Sequence, residues 1–139
     1  MEYRTNKNLY NTRDDKQCIV VTNKHLDALL SKQFSDADAV VAEITVDGIE
    51  LILASMYFDI ARQIQVDLSK IEAVLQHANG LWVLLAIDGN ARSALWNDPT
   101  TNSRGRTLDE YLMSEQLKIL NEETSILHSG INVVLVILT

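Results

Sequence analysis

A chain of 139 residues, 47% hydrophobic and 22% charged, has the length and apolar content of about one domain with a buried core. Nineteen acids against twelve bases give a net charge of -7, which repels a polyanion at long range and argues against a dedicated nucleic-acid binder. Cys18 as the single cysteine rules out an internal disulfide and fits a reducing, intracellular compartment, and no apolar run approaches the ~20 residues that a membrane-crossing helix needs.

The opening "MEYRTNKNLYNTRDDK" has no apolar core after its charges, so it does not read as a secretory signal. One proline, five glycines and no internal repeat leave no linker, and residues 1–139 are expected to form a single domain. "QCIVVT" (17–22) reads as a short strand by its β-branched run, with Cys18 as a small core residue. "ADAVVAEITV" and "IELILASMY" flank Asp47-Gly48, a two-residue loop that predicts a β-hairpin because both positions tolerate positive φ. From Ile60 to Ala78 the apolar residues Ile64, Leu68, Ile71, Val74 and Leu75 recur at intervals of three and four, predicting an amphipathic helix that closes near Asn79-Gly80. "LWVLLAI" (81–87) is apolar without alternation and predicts a strand buried on both faces. Thr107-Leu-Asp-Glu110 has the form of a capping box, placing a helix from Leu108 to about Gln116. "INVVLVILT" closes the chain as a strand. Strands interleaved with helices around a hairpin give an α/β or α+β class with a mixed sheet.

Chemistry concentrates where the 81–87 strand ends, at Asp88-Gly89-Asn90. Loops at the carboxyl ends of strands gather side chains over a rigid base, and ligands of α/β sheets collect there. A carboxylate at such an end can take a proton from water or coordinate a hard cation, while a carboxamide two residues on can donate to a phosphate oxygen. The same three residues also read as an Asx-turn that terminates a strand, and the triplet alone does not choose between the two. Arg92, Arg104 and Arg106 cluster in sequence around this stretch, which is either a solvated polar loop or a local offset to the net negative charge.

The words around the triplet carry a resemblance. "ASMYFD", then an amphipathic helix, then "AIDGNARSALWND", "TNSRGRTLDEYL" and "LKILNEETS" together resemble the endonuclease domain of non-LTR retrotransposons of the R1 type, strongest over residues 17–127. That domain belongs to the endonuclease/exonuclease/phosphatase family, which includes the apurinic endonucleases. The resemblance implies a four-layer α/β sandwich, only part of which this chain would form, and metal-assisted hydrolysis of a DNA phosphodiester. It implies that Asp88 polarises the attacking water, that Asn90 helps hold the phosphate and that aspartate, and that Tyr57 contacts the scissile phosphate. Tyr57 also reads as a half-buried strand aromatic. Arg104 and Gly105 are expected to serve loop structure more than substrate contact. DNA is the implied partner, and a nuclear location follows if DNA is the substrate.

Several family positions are not matched. The opening asparagine strand and the metal-binding glutamate should precede residue 17, where Glu2 in "MEYR" resembles the glutamate of the family's E-P-Y at a shorter spacing. The family's S-S-N-I-D-L-T is matched here by "SGINVVLVILT", so its aspartate falls on Val134 or, shifted by one, on Asn132. The histidine of the family's final S-D-H has no counterpart, and His128 reads as a loop histidine. Mg²⁺ is implied by the resemblance, yet Asp88 is the sole well-placed carboxylate, so weak or absent metal binding and little hydrolysis are expected. The alternative is a non-catalytic interaction protein formed from a degenerate or domesticated fragment. Its closing strand, on an open sheet edge, would favour self-association.

Overall fold

The computed structural model describes residues 7–9, 17–23, 25–121 and 133–138, and for 7–9 and 133–135 the backbone alone. Glu2, His128 and Asn132 lie outside the described residues. A two-stranded antiparallel pair joins β1 (Lys7–Leu9) to β2 (Ile19–Val21). The main sheet contains β3 (Asp27–Leu30), β4 (Ala39–Val46), β5 (Ile49–Tyr57), β6 (Trp82–Asp88), β7 (Lys118–Ile119) and β8 (Val133–Leu138), in spatial order β3-β4-β5-β6-β8-β7. Among the described residues only β5 and β6 pair in parallel, joined across α1 (Ile64–Ala78), while α2 (Ser103–Ser114) follows β6. The result is the mixed α/β sheet that the sequence predicts.

The hairpin forms at Asp47-Gly48, both at positive φ (51° and 77°), and sets β4 against β5 with Val46 opposite Ile49. Along β5 the side chains alternate. Ile52, Ala54 and Met56 join a core with Val83, Leu85 and Ile87 of β6, Ile71 and Val74 of α1, and Leu108 and Leu112 of α2. Leu51 and Leu53 face the other way, toward a second cluster in which Ile19 and Val21 of β2 pack on Val40, Ala42 and Ile44 of β4. Ser55 lies on that second face and donates its hydroxyl to the side-chain oxygen of Gln17, tying the chain just before β2 to the main sheet. Fully burying one such branched side chain contributes about 1.5–3 kcal/mol, so the helix-covered face dominates the stability of the sheet.

α1 ends as the sequence implies. Asn79 adopts the left-handed conformation at φ 44°, and its N–H bonds back to the Leu75 carbonyl. It begins later than the apolar pattern suggests, because residues 59–62 are taken up by a turn in which Asp59 accepts from the amides of Ala61 and Arg62.

Four expectations are corrected. β6 is not buried on both faces: Val83, Leu85 and Ile87 are sealed under the helices, whereas Trp82 is exposed and Leu84, Ala86 and Asp88 are half-buried. The apolar run reflects one dry face and one partly covered face. α2 begins at Ser103, capped by Asn102, whose side-chain oxygen accepts from the Gly105 amide. Thr107 sits one turn inside, where its hydroxyl donates to the Ser103 carbonyl. Cys18 is exposed, because Ile19 and Val21 are the residues of that strand that turn inward. Finally, β8 is not an edge strand: it lies between β6 and β7, with Val136 buried and paired to Ile119.

Candidate functional site

The parallel register of β5 and β6 places Tyr57 directly beside Asp88, each the last residue of its strand. Adjacent strands lie about 4.8 Å apart, and neighbours in register point to the same face. That face is the one away from the helices, since Met56 and Ile87, one residue earlier, belong to the helix-side core. The chain then turns from both strands together: the Phe58 amide donates to the Asp88 carbonyl at 2.8 Å, and Phe58 itself is fully buried.

Asn90 adopts positive φ (47°), the left-handed conformation that asparagine tolerates better than most residues. Its side-chain nitrogen donates to the Phe58 carbonyl at 2.7 Å, so the loop after β6 is latched to the loop after β5. One amide hydrogen is spent on that latch, leaving the second hydrogen and the side-chain oxygen for a ligand. Thus the structure brings together all three residues singled out in the sequence, at the carboxyl end of the only parallel strand pair among the described residues.

Beneath the two loops lies an ion-pair network that sequence reading missed. Arg62 donates to Asp67 at 2.6 Å and 3.1 Å, to Asp38 at 2.8 Å and to the Tyr57 carbonyl at 3.4 Å. The Asp67 hydrogen bonds, followed by those to Asp38, push the guanidinium pKa above its ordinary value, so Arg62 is permanently charged. Asp67 is completely buried in the first turn of α1, and its Oδ2 has no hydrogen bond among the described residues, with the Arg104 guanidinium 3.9 Å away. Arg104 donates to the carbonyls of Gly89, Arg62 and Asp59 at 3.0, 2.9 and 3.1 Å. One side chain therefore fixes the loop after β5 and the loop after β6 to the start of α2. No spacing rule links residues as far apart as Asp38, Arg62 and Arg104, so the network had no signature in the sequence.

The loop from Ala91 to Asn102 is equally constrained. Asn102 accepts from the amides of Arg92 (3.1 Å) and Gly105 (2.7 Å), and donates its own amide to the Arg92 carbonyl (3.0 Å). A Cβ on Gly105 would sit 1.8 Å from that carbonyl oxygen, so glycine is required by close approach. The Trp96 indole donates to the Ala91 carbonyl, and the buried Ser93 hydroxyl donates to Asp109 at 2.6 Å. Burial pushes the Asp109 carboxyl pKa up, with the Ser93 hydrogen bond opposing and the charge of Glu110 adding to the rise. Arg104 and Gly105 thus serve loop structure, as the sequence reading expects.

Metal ligation is less well supported. Among the described residues no group of three or more His, Cys, Asp or Glu side chains is arranged to hold a metal ion. Val133 and Val134 of β8 pair with Asp88 and Ile87, placing valines at the sheet position beside the aspartate. Mg²⁺ is usually held by one or two carboxylates together with waters and substrate phosphate, and Asp88 alone is at the bottom of that range.

A family model described as "Endonuclease-reverse transcriptase" matches residues 51–133, more than half of the chain, including Tyr57, Asp88 and Asn90. Among solved structures, the endonuclease domain of TRAS1, a telomere-specific non-LTR retrotransposon, is similar over 93% of this chain with 25% identity and a TM-score of 0.76. The chain spans 64% of that domain's length. A humanized D. rerio TDP2 carrying 14 mutations matches at 15% identity and a TM-score of 0.48, covering 86% of this chain and 52% of that one. No curated protein matches.

Proposed function

The chain belongs to the endonuclease-reverse transcriptase family, with the endonuclease/exonuclease/phosphatase-type fold of a retrotransposon endonuclease, and we propose that it carries the phosphate-handling part of a DNA endonuclease site. In this reading Tyr57 donates to a non-bridging oxygen of the scissile phosphate. Asn90 holds a second oxygen through its spare amide hydrogen, and Asp88 orients a water by accepting one of its protons. The observation that carries it is the register of Tyr57 on Asp88, with Asn90 latched to Phe58.

The same reading makes hydrolysis by these 139 residues absent or very weak. Phosphodiester hydrolysis in this family type requires a held metal, an activated water and charge stabilisation acting as a unit, and loss of one member removes nearly all of the rate. One carboxylate flanked by valines in the neighbouring strand does not supply that unit. Supercoiled plasmid incubated with the purified chain and Mg²⁺ tests this: nicking should not exceed that of an Asp88→Ala variant. Nicking that Asp88→Ala abolishes would contradict the proposed inactivity.

A second reading, association without catalysis, is favoured by one observation. Leu29, on the edge strand β3, is 65% exposed. Concentration-dependent elution on size exclusion that a Leu29→Lys change suppresses is the outcome it expects; a concentration-independent monomer contradicts it.

A further inference from the structure

Two arginines at the site end of the sheet are not used by the fold. Arg92 and Arg106 are both exposed, and neither guanidinium makes a hydrogen bond or ion pair among the described residues. Their neighbours contrast with them: Arg62 is consumed by Asp38 and Asp67, and Arg104 by three backbone carbonyls. Even Glu110, one turn beyond Arg106 on α2 and well placed for a helical pair, is not engaged by it.

The backbone segments that carry the two arginines are tied to each other. Asn102 bonds the backbone of Arg92 through both its side chain and its amide, and its carbonyl accepts from the Arg106 amide at 2.9 Å. Arg92 follows Asn90 by two residues, and Arg104, between the pair, is bonded to Gly89. Ser93 on Asp109 and Trp96 on Ala91 fix the intervening loop, so little backbone freedom remains to be lost when a ligand arrives. In a chain of net charge -7, two exposed, uncompensated arginines, one two residues after Asn90 and the other on the helix whose start bonds that loop, fit a polyanionic backbone. The planar fork of arginine matches phosphate oxygens in pairs.

We propose that Arg92 and Arg106 form a clamp that grips the DNA backbone at phosphates flanking the one held by Tyr57, Asp88 and Asn90. The clamp rests on the endonuclease reading and adds to it a means of registering the duplex despite the overall negative charge. Phosphate contacts of this kind position without reading sequence. Lys118 supplies an internal control, because β7 pairs it with Ile137, which pairs with Leu84 near the start of β6, the end of the sheet away from Asp88.

The test is binding of a short fluorescent duplex by the 139-residue chain in EDTA, followed by anisotropy over a series of salt concentrations. Each clamp contact should contribute about 0.9 to the slope of log affinity against log salt, so Arg92→Ala and Arg106→Ala should each lower the slope by about that amount. Arg92→Lys should keep the wild-type slope, and Lys118→Ala should leave it unchanged. Wild-type slopes in both arginine variants, or an equal loss in Lys118→Ala, would overturn the clamp while leaving the endonuclease reading in place. No salt-dependent binding by the wild type would overturn both.

Discussion

Gly105→Ala puts two physical effects in opposition. Alanine is the better helix former by about 1 kcal/mol, and Gly105 lies inside α2, so local propensity alone predicts a stabilised protein. Close approach predicts the reverse. The added carbon would lie 1.8 Å from the Arg92 oxygen, 2.5 Å from its carbonyl carbon and 3.1 Å from its nitrogen, all backbone atoms that cannot rotate away. Relief requires α2 to move off the loop, which breaks the Asn102 bonds to Arg92 and Gly105 and loosens Arg104 from Gly89. Overpacking of this kind costs about 1–3 kcal/mol, and losing the cap about 1 more. After subtracting the propensity gain, a net loss of about 1–3 kcal/mol is expected, a fall of roughly 3–10 °C in Tm for a chain of this size. Thermal unfolding followed by circular dichroism measures it. An unchanged or raised Tm would show that the loop does not pack on α2 as described.

Other consequences can be checked on the same protein. Arg62→Met strands the buried Asp67 carboxylate with only the more distant Arg104, and should cost about 2–3 kcal/mol in urea unfolding; adding Asp67→Leu should recover most of it, since removing both charges is often near neutral. Tyr111→Phe should leave stability at neutral pH equal or raise it by about 1 kcal/mol, because the Tyr111 hydroxyl is buried without a partner among the described residues. Burial, with smaller contributions from the charges of Glu115 and Glu72, pushes the Tyr111 phenol from 10.0 up to about 12. A group whose folded pKa is raised contributes stability that is whole below its unfolded value and lost as pH climbs through the folded one. The wild type should therefore lose stability relative to Tyr111→Phe between about pH 10 and 12, and parallel stability curves over that window would refute the assignment.

What could be read from the sequence was whatever depends on neighbours along the chain. Asp47-Gly48 announces its hairpin because the turn conformation is local, and α1 is visible because Ile64, Ile71 and Val74 return at the helical interval. The end of β6 at Asp88 is also local, marked by the change from apolar residues to Asp-Gly-Asn. By contrast, β3 and β7 are short and lack a β-branched run, and each exists because a longer strand offers it an edge: β4 for "DALL" and β8 for Lys118-Ile119. Thr107-Leu-Asp-Glu110 matched a capping pattern, yet the helix starts earlier because Asn102 satisfies Arg92 and Gly105 at once, a tertiary gain that no local pattern contains. Of the candidate site, Tyr57, Asp88 and Asn90 were legible through resemblance. Their support, Arg62 with Asp38, Asp67 and Arg104, was not, because it is assembled from four separate stretches of chain.

The central claim is that phosphate is handled at the carboxyl end of β5 and β6, and chemical-shift mapping tests it most directly. A short duplex titrated into isotopically labelled protein in EDTA should shift the Asn90 side-chain amide and the backbone amides of Tyr57, Phe58 and Gly89, and leave the Asp47-Gly48 hairpin at the other end of the sheet unmoved. Shifts confined to that hairpin or to β3, with Asn90 unaffected, would contradict the account.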